Sequence, residues 1–233
     1  MDLSRLHHAD EPSLGDLGLI GLALKSPDTS HVGLLFRRMD RPDKPVRLLH
    51  FAWHHDLRED AVIRRYAWLE LPIPRAKGVL ITELCRLLAE KYAGRRSKLA
   101  YALRYGDGTF DPGNGEFLSQ GGHGLTCATF VLAVFASYGV RLLRTEEWQP
   151  RPDDLQWQQE ILAQLQLGLH DKDPGRSVDP RHIEDVEREI GCARFRPGEV
   201  AAAGAVQKLP LGFEDAKGIA EAIVHALRTG RAR

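Results

Sequence analysis

The stretch HGLTCATFVLAVFASYGV, residues 123–140, constrains the fold more than any other part of the chain. From Cys127 to Phe135 it is apolar on nearly all sides of a helix, not along one stripe, so the helix has to run through the middle of a core. Gly139 suits the left-handed cap that ends such a helix. The 233 residues can bury one sizeable core and are short for two large ones, so one domain with an appendage is expected.

What covers the helix is read from the first half of the chain. LGDLGLIGLAL carries turn glycines and then an apolar run, Leu17 to Leu24, of buried-strand character. In SHVGLLFRR the residues Val32, Leu34 and Phe36 alternate with His31, Gly33 and Leu35, the period of a strand with two distinct faces. MDRPDKP has the Pro and Asp content of a turn, and VRLLHFAW reads as the returning strand of a hairpin. YAWLELPIP is a third strand ended by prolines, and KGVLITELCRLLAEKYAG is a helix with Leu80, Leu84, Leu87 and Leu88 at helical spacing. The expected class is α+β: a mostly antiparallel sheet packed on the buried helix that carries Cys127, within residues 1–145. Residues 146–233 turn to Gln, Asp, Glu and Arg, with helices expected near 153–167, 180–190, 198–205 and 213–228. They form a helical extension packed on the core, without catalytic motifs and open to a protein partner.

Charge and cysteine count exclude several classes. Lys plus Arg number 32 and Asp plus Glu number 32, so nothing draws the chain to nucleic acid or to an anionic membrane. The apolar run is broken by Ser137 and Gly139 short of a membrane span, and the first residues lack an apolar signal core, so a soluble cytoplasmic protein is expected. Three scattered cysteines, Cys85, Cys127 and Cys192, make neither a disulfide framework nor a zinc knuckle. No cofactor and no metal is expected.

The chemistry centres on Cys127. A thiol in the first turn of a helix meets the free N–H groups that favour thiolate and can also hold an oxyanion. The alternative reading is a small buried hydrophobe, as free cysteines commonly are. Seven glycines in the nineteen residues 106–124 make a long deformable loop that would let a substrate backbone come close to the thiol. Cys85 and Cys192 lack such a setting and read as structural. A thiol hydrolase also needs an imidazole and a group that holds its tautomer. Of ten histidines, His7 and His8 fall in a tail, His54 and His55 in a solvated turn, His123 in the glycine-rich loop, and His170, His182 and His225 in the extension. His31 and His50 remain, and hairpin registers whose residue numbers sum to an odd value put them on one face within about 8 Å.

These residues resemble the papain-like cysteine hydrolases of the NlpC type, specifically their circularly permuted relatives, which include lecithin retinol acyltransferase-like enzymes. HVGLL at His31, LLHFA at His50 and TCATFV at Cys127 match the family's pieces in the permuted order, and Gly15, Asp16 and Leu17 resemble its Gly-Asp turn. The resemblance covers about residues 14–143. It implies a permuted papain-like fold with Cys127 as nucleophile, His31 as base and His50 as orienter, acting on a peptide or other amide. The family's Ser-Gly pair after the cysteine is replaced by Ala128 and Thr129. Gln120 and His123 are candidates for an oxyanion side chain. Other readings remain open: an acyltransferase or lipid or ester hydrolase, a non-catalytic papain-fold binding module, and a zinc site on His31, His50 and Cys127.

Overall fold

The computed structural model describes residues 3–8, 17–38, 46–61, 65–93, 98–119, 121, 124–170 and 177–230. Its centre is a six-stranded antiparallel sheet built from β1 (His7–His8), β2 (Ile20–Lys25), β3 (Val32–Phe36), β4 (Arg47–Trp53), β5 (Asp56–Asp60) and β6 (Tyr66–Glu70), in the order β1-β6-β2-β3-β4-β5. The strands expected at LGDLGLIGLAL and YAWLELPIP become β2 and β6, hydrogen-bonded neighbours, because the hairpins between them fold out to one side. The turn expected at residues 39–45 lies outside the described residues. β5 carries almost no strand signal in its sequence. DLRED offers one apolar residue, Leu57, and pairs with β4 through the two-residue turn His54-His55, with His55 at φ 58°.

Alternation along the strands separates two faces. Leu22, Leu24, Val32, Leu34, Phe36, Leu49, Phe51 and Leu69 enter the main core with the helices, while Ala23, Leu35, Leu48 and Trp68 form a small cluster on the other side. Against the first face pack α1 (Arg75–Tyr92) and α2 (Cys127–Ala136). The buried stripe of α1 is Ile81, Leu84, Cys85, Leu88 and Tyr92, rotated from the one expected: Leu80 is exposed and Leu87 only partly covered. Every residue of α2 from Cys127 to Phe135 is buried, as an all-round apolar helix requires, and Gly139 takes φ 68°.

The glycine-rich segment holds more order than expected. β7 (Thr109–Phe110) and β8 (Phe117–Leu118) form a hairpin whose turn is tied by Asp111 Oδ1, which accepts from the Gly113 and Asn114 N–H groups.

The extension contributes α3 (Leu155–Leu167), α4 (Pro180–Arg188), α5 (Pro197–Ala201) and α6 (Phe213–Arg228). Its residues Val186, Val200, Ala201 and Ile223 belong to the same contiguous core as the sheet. α5 lies against α2, β2 and β3. Among the described residues no helix is long and apolar enough to cross a membrane.

Candidate active site

The hairpin β3–β4 pairs Leu34 with Leu49. This register sets Gly33 opposite His50 and His31 one step along the diagonal, on the same face. Gly33 has no room for a side chain, since a Cβ there would lie 2.7 Å from His50 Cβ. The space left lets the two rings meet edge to face, centroids 4.9 Å apart, with 2.8 Å between His31 Nε2 and His50 Nδ1.

β5 adds a member that the sequence did not reveal. His50 Nε2 lies 2.9 Å from Asp60 Oδ2. A carboxylate accepts, so His50 carries its proton on Nε2, accepts on Nδ1 from His31 Nε2–H, and leaves His31 Nδ1 with a lone pair. The chain Asp60, His50, His31 thus fixes both tautomers. Burial, with His50 alongside, pushes His31 down to about 3, so its imidazole is neutral across the physiological range. DLRED has only Leu57 to mark it as a strand, and only the pairing through the His54-His55 turn brings Asp60 to His50.

Cys127 opens α2 with its first turn held by a capping box. Thr126 Oγ1 accepts from the Thr129 N–H and Thr129 Oγ1 accepts from the Thr126 N–H. Thr129, where the resembled family has glycine, therefore fixes the helix start. Burial pushes the Cys127 thiol up, against the opposing pull of hydrogen bonds from the Val32 and Ala128 backbone N–H groups and of the Arg194 charge. The resting pair is a neutral thiol and a neutral imidazole. Cys127 and His31 line one pocket of about 210 Å³ without a hydrogen bond between them.

The glycine nearest the thiol serves the chain and not a substrate: a Cβ on Gly124 would meet the Ala100 carbonyl oxygen at 2.2 Å, where residues 124–125 run against 100–102. Gln120, His123, Gly15 and Asp16 lie outside the described residues. His54 sits in the expected turn but is buried, not solvated. Its Nδ1 accepts from the Tyr101 N–H, and its ring contacts His55 and His182, which in turn meets the Tyr101 carbonyl oxygen. Cys85 is fully buried within α1. Burial raises Cys192 to about 11.

The extension walls the pocket. Trp157 and Ile161 come from α3, Arg194 and Phe195 from the approach to α5, and Pro197 from its first turn, facing Trp53, Tyr101 and Cys127. Arg194 had no signal in the sequence beyond CARFRPGE. Its place depends on Asp154, 1% exposed, which binds Arg151, Arg194 and Arg196. Among the described residues no group of three His, Cys, Asp or Glu side chains is arranged to hold a metal ion, so His31, His50 and Cys127 do not make a zinc site. Comparison with protein-family models, with curated proteins and with solved structures finds no match for this chain.

Proposed function

We propose that the chain is a thiol hydrolase of permuted papain-like arrangement that cleaves an amide through a Cys127 acyl-enzyme. The observation that carries the reading is the hydrogen-bonded run from Asp60 through His50 to His31, ending on the wall of the pocket into which a helix N-terminus presents Cys127. In the reaction Cys127 Sγ attacks the substrate carbonyl carbon as its proton passes to His31 Nδ1. His50 and Asp60 keep Nδ1 free to receive it. The tetrahedral oxygen accepts from backbone N–H groups of the helix start. Collapse breaks the C–N bond, the amine leaves with the proton from His31, and water, deprotonated by the same imidazole, hydrolyses the thioester.

A second reading, a papain-fold binding module without catalysis, draws on the raised thiol: burial leaves Cys127 protonated at rest. Incubation with p-nitrophenyl acetate and mass-spectrometric mapping of the intact and digested protein separates the two. The hydrolase acetylates on Cys127 with release of nitrophenolate and then deacylates. A folded protein acetylated only on lysines, or not at all, is the binding module. Adding hydroxylamine measures partition of the acyl group between water and an amine, which distinguishes hydrolysis from acyl transfer.

A further inference from the structure

Arg194 stands where two cavities join. It lines the Cys127 pocket and also a neighbouring open cleft of about 590 Å³, and the two share Ser30, Arg194 and Pro197. A substrate reaching Cys127 from the cleft passes the guanidinium. Asp154 binds Arg194 but divides its charge, since Arg151 and Arg196 bind the same carboxylate. Nη1 of Arg194 donates to Asp154 Oδ1 at 3.1 Å, and the described hydrogen bonds leave its other N–H groups free for a ligand. The guanidinium also lies over the Trp157 ring, with Cζ 3.6 Å from the centroid, a contact that helps to hold its direction before a ligand arrives. Trp53, Tyr101, Phe195 and Ile161 line the same pocket, and their apolar surface lowers the local polarity, which strengthens a charge-assisted hydrogen bond formed there.

Resting on the nucleophile assigned above, we infer that Arg194 receives a substrate carboxylate next to the scissile carbonyl, so that the enzyme selects N-acyl amino acids and peptides with a free carboxylate beside the cleaved bond over neutral amides. Arg194 is a binding residue here. The proton transfers remain with His31. The cleft beyond it carries both signs, Arg196 and Lys217 with Asp28, Asp153 and Glu221, and so gives the remainder of the substrate no single charge preference.

Two alkylating probes of nearly equal size test this without a substrate. Iodoacetate carries a carboxylate and iodoacetamide does not; in both, Cys127 Sγ displaces iodide, forming C–S as C–I breaks and losing its proton to His31. The expected result is saturable alkylation of Cys127 by iodoacetate, favoured over iodoacetamide by about tenfold relative to the same ratio at glutathione, the size of one charge-assisted contact. Arg194→Met should abolish the preference and Arg194→Lys should keep part of it, with near-ultraviolet circular dichroism checking the fold. Iodoacetamide reacting at Cys127 as fast as iodoacetate or faster in the wild type, where no variant has to fold, overturns the inference while leaving the nucleophile in place. If neither reagent modifies Cys127, the nucleophile fails, and calorimetric binding to Cys127→Ser decides the anion site alone. N-acetylglycine bound more tightly than N-acetylglycinamide, with the difference lost in Arg194→Met, sustains it, and equal or absent binding removes it.

Discussion

The carboxylate of Asp60 accepts a hydrogen bond from His50 Nε2 at 2.9 Å, and that single contact decides which nitrogen of His31 can act as a base. Asp60 is half exposed, so it holds the relay more weakly than a buried aspartate would. Asp60→Ala should slow Cys127 acylation by about ten- to a hundredfold, short of the ~10⁴ lost when the tautomer-fixing aspartate of a buried triad is changed. His50→Asn, which can still accept from His31, should retain more rate than His50→Ala. Equal rates for wild type and Asp60→Ala would remove Asp60 from the relay.

Gly33 is the condition for His50 to occupy its place. A Cβ at residue 33 would meet His50 Cβ at 2.7 Å and the Leu49 carbonyl oxygen at 2.9 Å. Gly33→Ala should cost about 1–3 kcal/mol in urea unfolding and lower acylation in the fraction that folds. A variant as stable and as reactive as wild type would show that the hairpin yields without strain.

Acid should loosen the fold before carboxylates protonate. His31 and His54 are each pushed down to about 3 by burial, from an ordinary value near 6.5. Between those values the unfolded chain holds more protons than the folded one, so stability present above pH ~6.5 falls as pH drops towards ~3, by at most about 1.4 kcal/mol per pH unit for each histidine. Urea midpoints from near neutrality to about pH 5 should decline. His54→Gln, which keeps an acceptor for the Tyr101 N–H, should make the decline shallower. A midpoint that is flat or rises on acidification contradicts the neutral buried imidazoles.

Asp154 holds three guanidiniums with almost no exposure of its own. Removing it leaves Arg194 without a carboxylate partner, while Arg151 keeps Glu199 and Arg196 keeps Asp153. Asp154→Ala should cost about 3–5 kcal/mol by equilibrium unfolding, the range for breaking a buried ion pair on one side. A loss below about 1 kcal/mol would mean that water replaces the carboxylate.

The α+β class with an antiparallel sheet was legible because period-two alternation at Val32, Leu34 and Phe36 and the unbroken apolar face of α2 each admit one solution. The helices of the extension were legible from composition and from Pro180 and Pro197 at their starts. What escaped depended on contacts remote in sequence. β5 has one apolar residue and is a strand because β4 pairs with it. The stripe of α1 is set by the core it meets, which selects Ile81 over Leu80. His54 looked solvated because its neighbours His55 and Asp56 are polar, yet its cover, His182, comes from the extension. Asp60 and Arg194 became visible at the site only once these pairings brought them there.

Activation of Cys127 by His31 is measured by the rate of Cys127 acetylation by p-nitrophenyl acetate near neutral pH, wild type against His31→Ala. A fall of about two to four orders of magnitude is expected in a variant that remains folded, the range for loss of a general base. Acetylation of Cys127 at an unchanged rate in folded His31→Ala, or acetylation that bypasses Cys127 in the wild type, would contradict it.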